Sequence, residues 1–242
     1  MPPIATHNVL IVGHSHVGCI HRAIKRFDVK NVAVVALHAL KREKDFSSKD
    51  IESSVREASP FKAPSSICLC LGGNRHNALG IVENPTPFAV GAAESGSAPE
   101  DATERHFIPH HVMMDYFRAA LPKAMFEKVF NSFPNAKRYC LNVPPPVADW
   151  NHIQENPGKF GEWLHLGPTP EQLRRQLYNI QSHVYEEIAA SSGARFIDVP
   201  QEAVTEKGFL AREFWGNDPT HGNVDYGHLM LRKILDFVGE QQ

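Results

Sequence analysis

Short runs of β-branched and other apolar residues recur along the chain. They lie at Val9–Val12, Val32–Leu37, Ile67–Leu71, Tyr139–Val143 and Phe196–Val199. Each run has the length of a buried strand, and most of the stretches between the runs carry apolar residues at helical spacing. Strands that alternate with helices in this way indicate βαβ units. We therefore predict an α/β fold with a five-stranded parallel sheet.

Helix signals support this alternation. Thr169-Pro-Glu-Gln172 has the pattern of an N-cap residue, a proline at the first helical position and a capping box, and an apolar stripe follows it. The last helix is predicted to begin near Asn223. Helical spacing also runs from His111 to Phe133, where Pro122 is expected to kink or split the helix.

Two segments break the pattern. Residues 83–109 are rich in Pro, Gly, Ala, Ser and Glu and have no periodicity, and residues 147–168 form a second irregular stretch. Long irregular segments in compact domains often serve as lids or pocket walls. With no repeat and no clear linker, we predict a single domain over residues 1–242 with insertions near 83–109 and 147–168.

Bulk composition narrows the choice of partners. The 242 residues carry a formal net charge of −2, which predicts neither a nucleic-acid nor a membrane partner. No segment has the features of a signal peptide or a membrane span, so we expect a cytoplasmic protein. The cysteines Cys19, Cys68, Cys70 and Cys140 lack zinc-site spacing and are interpreted as reduced and buried.

Ser15 has the most informative position in the chain. It follows the first predicted strand in Gly13-His-Ser15-His-Val-Gly18, a tight turn that leads into a helix. Ligands of open α/β folds bind at this edge of the sheet, near helix N-termini. The alternative is that Ser15 only caps the helix, because serine is a favoured N-cap residue.

Two further segments could complete a site around Ser15. Asp218 and His221 lie three residues apart before the last helix, so the carboxylate can orient an imidazole that activates a serine hydroxyl. Gly72-Gly73-Asn74 ends the third strand, and the Asn74 amide could donate to an oxyanion. The simpler interpretations are an Asx turn at Asp218 and a strand-closing turn at Asn74.

Taken together and in this order, the three segments resemble the sequence motifs that carry the active-site residues of the SGNH (GDSL-type) serine hydrolases. The resemblance implies a flavodoxin-like three-layer α/β/α sandwich. It also implies that Ser15 is the nucleophile, His221 the base and Asp218 its orienting acid, with the Ser15 backbone N–H and the Asn74 side chain as the oxyanion hole. No cofactor and no metal are implied. The implied substrate is a small-molecule or carbohydrate ester, with acetylated carbohydrates a candidate class.

The chain also departs from the pattern of that family. His14 stands where the family usually has aspartate, and no glycine occurs between Cys19 and Leu71, where the family usually offers a second backbone donor. A backbone N–H around Ser47–Ser54 is the expected replacement. Arg75 stands where the family often has an acid and could meet an anionic substrate group. Gly73, Arg75 and His14 are therefore predicted to contact the substrate.

The sequence is also compatible with three other functions. The same triad would serve an O-acyltransferase, which differs in its acceptor and in excluding water. The histidines His14, His16, His76 and His221 could build a metal-dependent phosphoesterase, because Gly-His-Ser-His resembles a metallophosphoesterase element. The missing glycine would also fit a non-catalytic carbohydrate-binding module on a degenerate hydrolase fold.

Overall fold

A computed structural model of the chain describes residues 7–43, 51–91, 104–121 and 123–240. The strands in chain order are β1 (Val9–Gly13), β2 (Val32–Ala36), β3 (Ser66–Cys70), β4 (Phe88–Val90), β5 (His106–Ile108), β6 (Lys137–Leu141) and β7 (Arg195–Ile197). The α-helices are α1 (Val17–Arg26), α2 (Leu37–Glu43), α3 (Ile51–Ala58), α4 (Arg75–Gly80), α5 (His110–Ala120), α6 (Lys123–Phe130), α7 (Trp150–Glu155), α8 (Glu171–Ser191) and α9 (Val224–Gly239).

The main sheet has five parallel strands in the order β2-β1-β3-β6-β7. This confirms the predicted parallel sheet, and each of the predicted strands overlaps one of its members. Parallel strands are buried on both faces and therefore have continuous apolar sequences. All five residues of β1 and all five of β3 are buried, which explains why their sequences gave a clear signal.

Helices cover both faces of the sheet. Leu10 and Val12 pack with apolar residues of α3, α5, α6 and α8, whereas Val9 and Ile11 pack with residues of α1 and α9. Successive side chains of a strand point to opposite faces, so a single β-strand contributes to both cores. The fold is therefore a three-layer α/β/α sandwich, as the sequence and its family resemblance predicted.

The two segments expected to be irregular contain regular structure. Residues 83–109 include β4 and β5, which pair in parallel, while residues 92–103 of that segment lie outside the described residues. Residues 147–168 contain α7 and a 3-10 helix, Gly158–Leu166. The prediction was wrong because strands of three residues and a helix of six are too short to produce a periodic pattern. The 3-10 helix repeats every three residues and so lacks the 3.6-residue period.

The structure confirms the predicted start of the last helix but not that of α8. Asn223 caps α9, its side chain accepting hydrogen bonds from the backbone N–H groups of Asp225 and Tyr226, as predicted. The capping box at Thr169 is wrong, because Pro170 has an extended ψ of 137° and α8 begins after it without a side-chain cap. The segment around Pro122 is split into α5 and α6 as expected, although residue 122 itself lies outside the described residues.

The strand order determines where a ligand can bind. The chain passes from β1 to β2 on one side and then crosses to β3 on the other, so the connections diverge between β1 and β3. Ligands of open α/β sheets bind at this switch point, outside the carboxyl ends of the strands. Ser15 follows β1 and Asn74 follows β3, which brings both to the crevice.

Cys19, Cys68, Cys70 and Cys140 are all unpaired and buried, as predicted. Among the helices in the described parts of the chain, none is long and apolar enough to cross a membrane.

Candidate active site

Ser15, His221 and Asp218 form a hydrogen-bonded row at the carboxyl edge of the sheet. The Nε2 atom of His221 lies 2.7 Å from the Ser15 hydroxyl, and its Nδ1 atom lies 2.8 Å from Asp218 Oδ2. Ser15 is exposed in the turn between β1 and α1, and its side chain does not cap the helix. This is the geometry in which an oriented imidazole can remove a proton from a serine hydroxyl.

The loop before α9 holds the Asp218 carboxylate. Asp218 Oδ1 accepts hydrogen bonds from the backbone N–H and the hydroxyl of Thr220, both at 2.8 Å. Partial burial raises the pKa of Asp218, but the hydrogen bonds from His221 and Thr220 outweigh it and hold the pKa below its usual value. The Asx turn considered for Asp218 is thus present, and it places the carboxylate against His221.

Asn74 lies in the same cavity with its amide oriented by a neighbour. The Nδ2 atom of Asn77 donates to Asn74 Oδ1 at 2.6 Å, and Asn77 is buried. The Asn74 amide nitrogen makes no hydrogen bond to the residues that the structure describes, so it can donate to a ligand. The sequence did not indicate Asn77 as a functional residue, although its position three residues after Asn74 on one helical turn was a usable signal.

Helix α8 supports the loop that carries Asn74. The Tyr185 hydroxyl donates to the Leu69 carbonyl at 2.7 Å and accepts from the Leu71 N–H at 2.9 Å. The Gln181 side chain donates to the Gly72 carbonyl at 3.0 Å and accepts a hydrogen bond from the His76 backbone N–H at 2.9 Å. Nothing in the local sequence pairs these residues with a loop more than one hundred positions away.

The two glycines before Asn74 are required for different reasons. A Cβ on Gly72 would lie 2.7 Å from the Tyr185 ring, so only glycine lets the loop reach α8. Gly73 has a φ of 70°, in the left-handed region that favours glycine. Together they turn the chain sharply after β3 and direct Asn74 into the crevice.

Two buried histidines lie behind the row of hydrogen-bonded side chains. The His16 ring is 4.7 Å from the His221 ring between centroids, and His76 packs against Tyr178. Burial lowers the pKa of His16 to about 3 and that of His76 to about 4, with the charge of His221 adding to the effect on His16. Both are therefore neutral near pH 7.

The neutral state of His16 and His76 gives a prediction for stability. The unfolded chain takes up protons at these sites below about pH 6.5 and the folded protein does not, so stability falls as the pH drops. Two such histidines should together cost about 3–4 kcal/mol of unfolding free energy between pH 7 and pH 5. Urea denaturation at the two pH values measures this loss.

Single His16→Phe and His76→Phe variants control for other groups. Each variant is expected to lose about half of the difference between the two pH values, because one titrating site is removed. A wild-type protein equally stable at pH 7 and pH 5 would contradict the burial of neutral histidines.

The histidines do not assemble as the metal hypothesis required. His14 lines the cavity, whereas His16 is buried against His221. Within residues 7–43, 51–91, 104–121 and 123–240, no group of three or more His, Cys, Asp or Glu side chains is arranged to hold a metal ion.

The expected replacement for the second backbone donor is not found in the described part of its segment. Residues 47–50 lie outside the described residues, and Ser53 and Ser54 belong to α3. Neither serine lines the cavity. Strand β2 instead runs directly into α2 at Leu37, which is fully buried.

A cavity of about 950 Å³ opens above Ser15 and His221. Its lining includes all three residues predicted to contact substrate, namely His14, Gly73 and Arg75. Phe160 and Trp163 of the second insertion also line it, whereas the other aromatic residues of the two insertions do not. The volume is near the upper end of ordinary ligand pockets, so it can hold both halves of a small ester.

Comparisons with known proteins agree with this architecture. No protein-family model and no curated protein sequence matches the chain. A GDSL-like lipase from Bacteroides thetaiotaomicron is 14% identical with a TM-score of 0.52, over 98% of this chain and 90% of that one. Phospholipase A1 from Streptomyces albidoflavus is 13% identical with a TM-score of 0.51, over 96% of this chain and 99% of that one. These likenesses show a shared fold.

Proposed function

We propose that this chain, which has the fold of the SGNH (GDSL-type) hydrolases, is a serine esterase acting on small acyl esters. The observation that carries the proposal is the position of His221, with Nε2 at 2.7 Å from the Ser15 hydroxyl and Nδ1 at 2.8 Å from Asp218. Because Asp218 accepts from Nδ1, the Nε2 atom is the unprotonated one and is ready to accept the serine proton.

The reaction would proceed in two halves. Ser15 Oγ attacks the ester carbonyl while its proton passes to His221, and His221 then gives that proton to the leaving alcohol as the carbon–oxygen bond breaks. Water attacks the resulting acyl-enzyme, with its proton again taken by His221. The carboxylic acid leaves and Ser15 recovers its proton.

The oxyanion would be stabilised by the groups next to Ser15. The Ser15 backbone N–H precedes the N-cap residue of α1 and makes no backbone hydrogen bond to the residues that the structure describes, and the Asn74 amide nitrogen is oriented by Asn77. Removing one such donor in other enzymes typically costs about 10²–10³ in rate. A hole with only these two donors would support a working, if slower, esterase.

The exposure of Ser15 favours hydrolysis over transfer to another alcohol. Its side chain is exposed in the open cavity, so water can reach an acyl group on its hydroxyl. An O-acyltransferase would need that water excluded. The unbroken hydrogen-bonded row likewise favours an enzyme over a non-catalytic binding module, because a module would have no requirement for it.

The proposal is tested with p-nitrophenyl esters of increasing acyl chain length. We expect hydrolysis of the short-chain esters that is insensitive to chelators, because no step uses a metal ion. Activity abolished by chelation and restored by manganese would instead support the phosphoesterase alternative. No hydrolysis of any ester would support the binding module.

A further inference from the structure

Two cationic side chains, those of Arg75 and Lys159, line the cavity. Arg75 begins α4 directly after Asn74, and Lys159 lies in the 3-10 helix of the second insertion. Both are exposed. Arg75 donates a 3.4 Å hydrogen bond to the Tyr116 hydroxyl. Among the residues that the structure describes, neither cation forms an ion pair.

The acidic side chains that line the same cavity are already occupied. Glu83 forms an ion pair with Arg105, in which both side chains are mostly buried. Asp218 accepts hydrogen bonds from Thr220 and from His221. The cations are therefore the charges available to a ligand, and with Glu83 offset by Arg105 they outnumber the one remaining acid, Asp218.

We propose that the cavity selects esters that carry an anionic group, with Arg75 and Lys159 as the residues that recognise it. The proposal rests on the esterase function and specifies its substrate class. A planar guanidinium binds carboxylate or phosphate oxygens in a bidentate manner, and a lysine ammonium adds a flexible second charge. Positive potential in a cleft also raises the local concentration of anions.

The apolar part of the cavity lining restricts where a ligand can carry its anionic group. Leu71, Leu121 and Phe160 contribute hydrocarbon surface, so a fully charged or highly hydrated ligand would lose solvation there. A ligand with a compact apolar body and one anionic end satisfies both parts of the surface. An aromatic ester with a single carboxylate or phosphate group has this form.

Matched esters test the selection on each side of the scissile bond. On the alcohol side, 4-acetoxybenzoate and 4-acetoxyphenyl phosphate are compared with neutral 4-acetoxybenzamide. On the acyl side, the mono-4-nitrophenyl ester of terephthalate is compared with its neutral carboxamide. Each kcat/KM is divided by the rate of hydroxide-catalysed hydrolysis, which corrects for the intrinsic reactivity of the esters.

We expect the corrected kcat/KM of at least one anionic ester to exceed that of its neutral partner by about three- to tenfold at low ionic strength. This is the effect expected of one or two exposed charge pairs. The preference should fall as salt is added. Which ester shows it distinguishes carboxylate from phosphate and the acyl side from the alcohol side.

Variants identify the residues responsible. Arg75→Gln and Lys159→Gln should each lower the ratio of anionic to neutral kcat/KM, and together they should bring it to about one. Lys62→Gln removes an exposed cation outside the cavity and should leave the ratio at the wild-type value. Ratios of one for every pair in the wild type, with the neutral esters hydrolysed, would overturn the anion proposal and leave the esterase function intact.

A binding measurement covers the case in which no ester is hydrolysed. The amide analogues 4-acetamidobenzoate and 4-acetamidobenzamide are titrated into the protein by calorimetry. Tighter binding of the anionic analogue, lost in the double variant, would support the anion site even though the esterase function had failed. Equal binding of the two analogues would overturn it.

Discussion

Replacing Ser15 with alanine is expected to lower kcat for ester hydrolysis by about 10⁴-fold or more, the scale found when a nucleophile of this kind is removed. The hydroxyl that His221 contacts at 2.7 Å is then gone, and no acyl-enzyme can form. The decrease should be seen in kcat, because Ser15 acts on the reacting carbon. Steady-state kinetics with a p-nitrophenyl ester measure it.

Ser53→Ala is the matched control for this variant. Ser53 is exposed on α3 and does not line the cavity, so its removal should leave kcat within about twofold of wild type. Circular dichroism should show both variants folded. A Ser15→Ala protein that hydrolyses the ester at a rate comparable to wild type would show that another group attacks the substrate.

Asp218→Asn is expected to lower kcat by about 10³–10⁴-fold, by the precedent of the same change in a serine protease. The carboxylate accepts the Nδ1 proton of His221 at 2.8 Å, which leaves Nε2 free to accept the serine proton. An asparagine amide can donate to Nδ1 instead and would move the proton to Nε2. His221 then has no acceptor facing Ser15.

Asp225→Asn serves as the control for the lost charge. Asp225 is an exposed acid on α9 that pairs with Arg26 on α1 and does not line the cavity. Its replacement should cost less than about 1 kcal/mol of stability, because the pair is exposed, and should leave kcat unchanged. Equal losses of kcat in both variants would argue against a specific role for Asp218.

The sheet could be predicted from the sequence because of where its strands lie. β1 and β3 are buried on both faces, so nearly every residue in them is apolar and the runs are distinct. β4 and β5 span three residues each, and β5 is mostly exposed, so neither leaves a pattern. The start of α8 was misplaced because Pro170 has an extended ψ of 137° and lies before the helix instead of at its first position.

Part of the candidate site could also be predicted from the sequence, and part could not. Each predicted site residue lies next to a strand or helix that could be recognised in the sequence: Ser15 after β1, Asn74 after β3, and Asp218 and His221 before α9. Their position at one edge of the sheet therefore followed from the topology. Tyr185 and Gln181 were missed, because they reach the Asn74 loop from a helix whose sequence shows only an apolar stripe. Contacts across such sequence distances depend on how the layers pack.

Covalent labelling tests most directly whether Ser15 is an activated nucleophile. A fluorophosphonate reacts with serines whose hydroxyl is deprotonated by a neighbouring base, and mass spectrometry of the intact protein and its peptides locates the adduct. We predict one adduct per chain, on Ser15, that is absent in Ser15→Ala and greatly slowed in His221→Ala. An adduct on a different residue, or none on a protein that still hydrolyses esters, would contradict the assignment of Ser15.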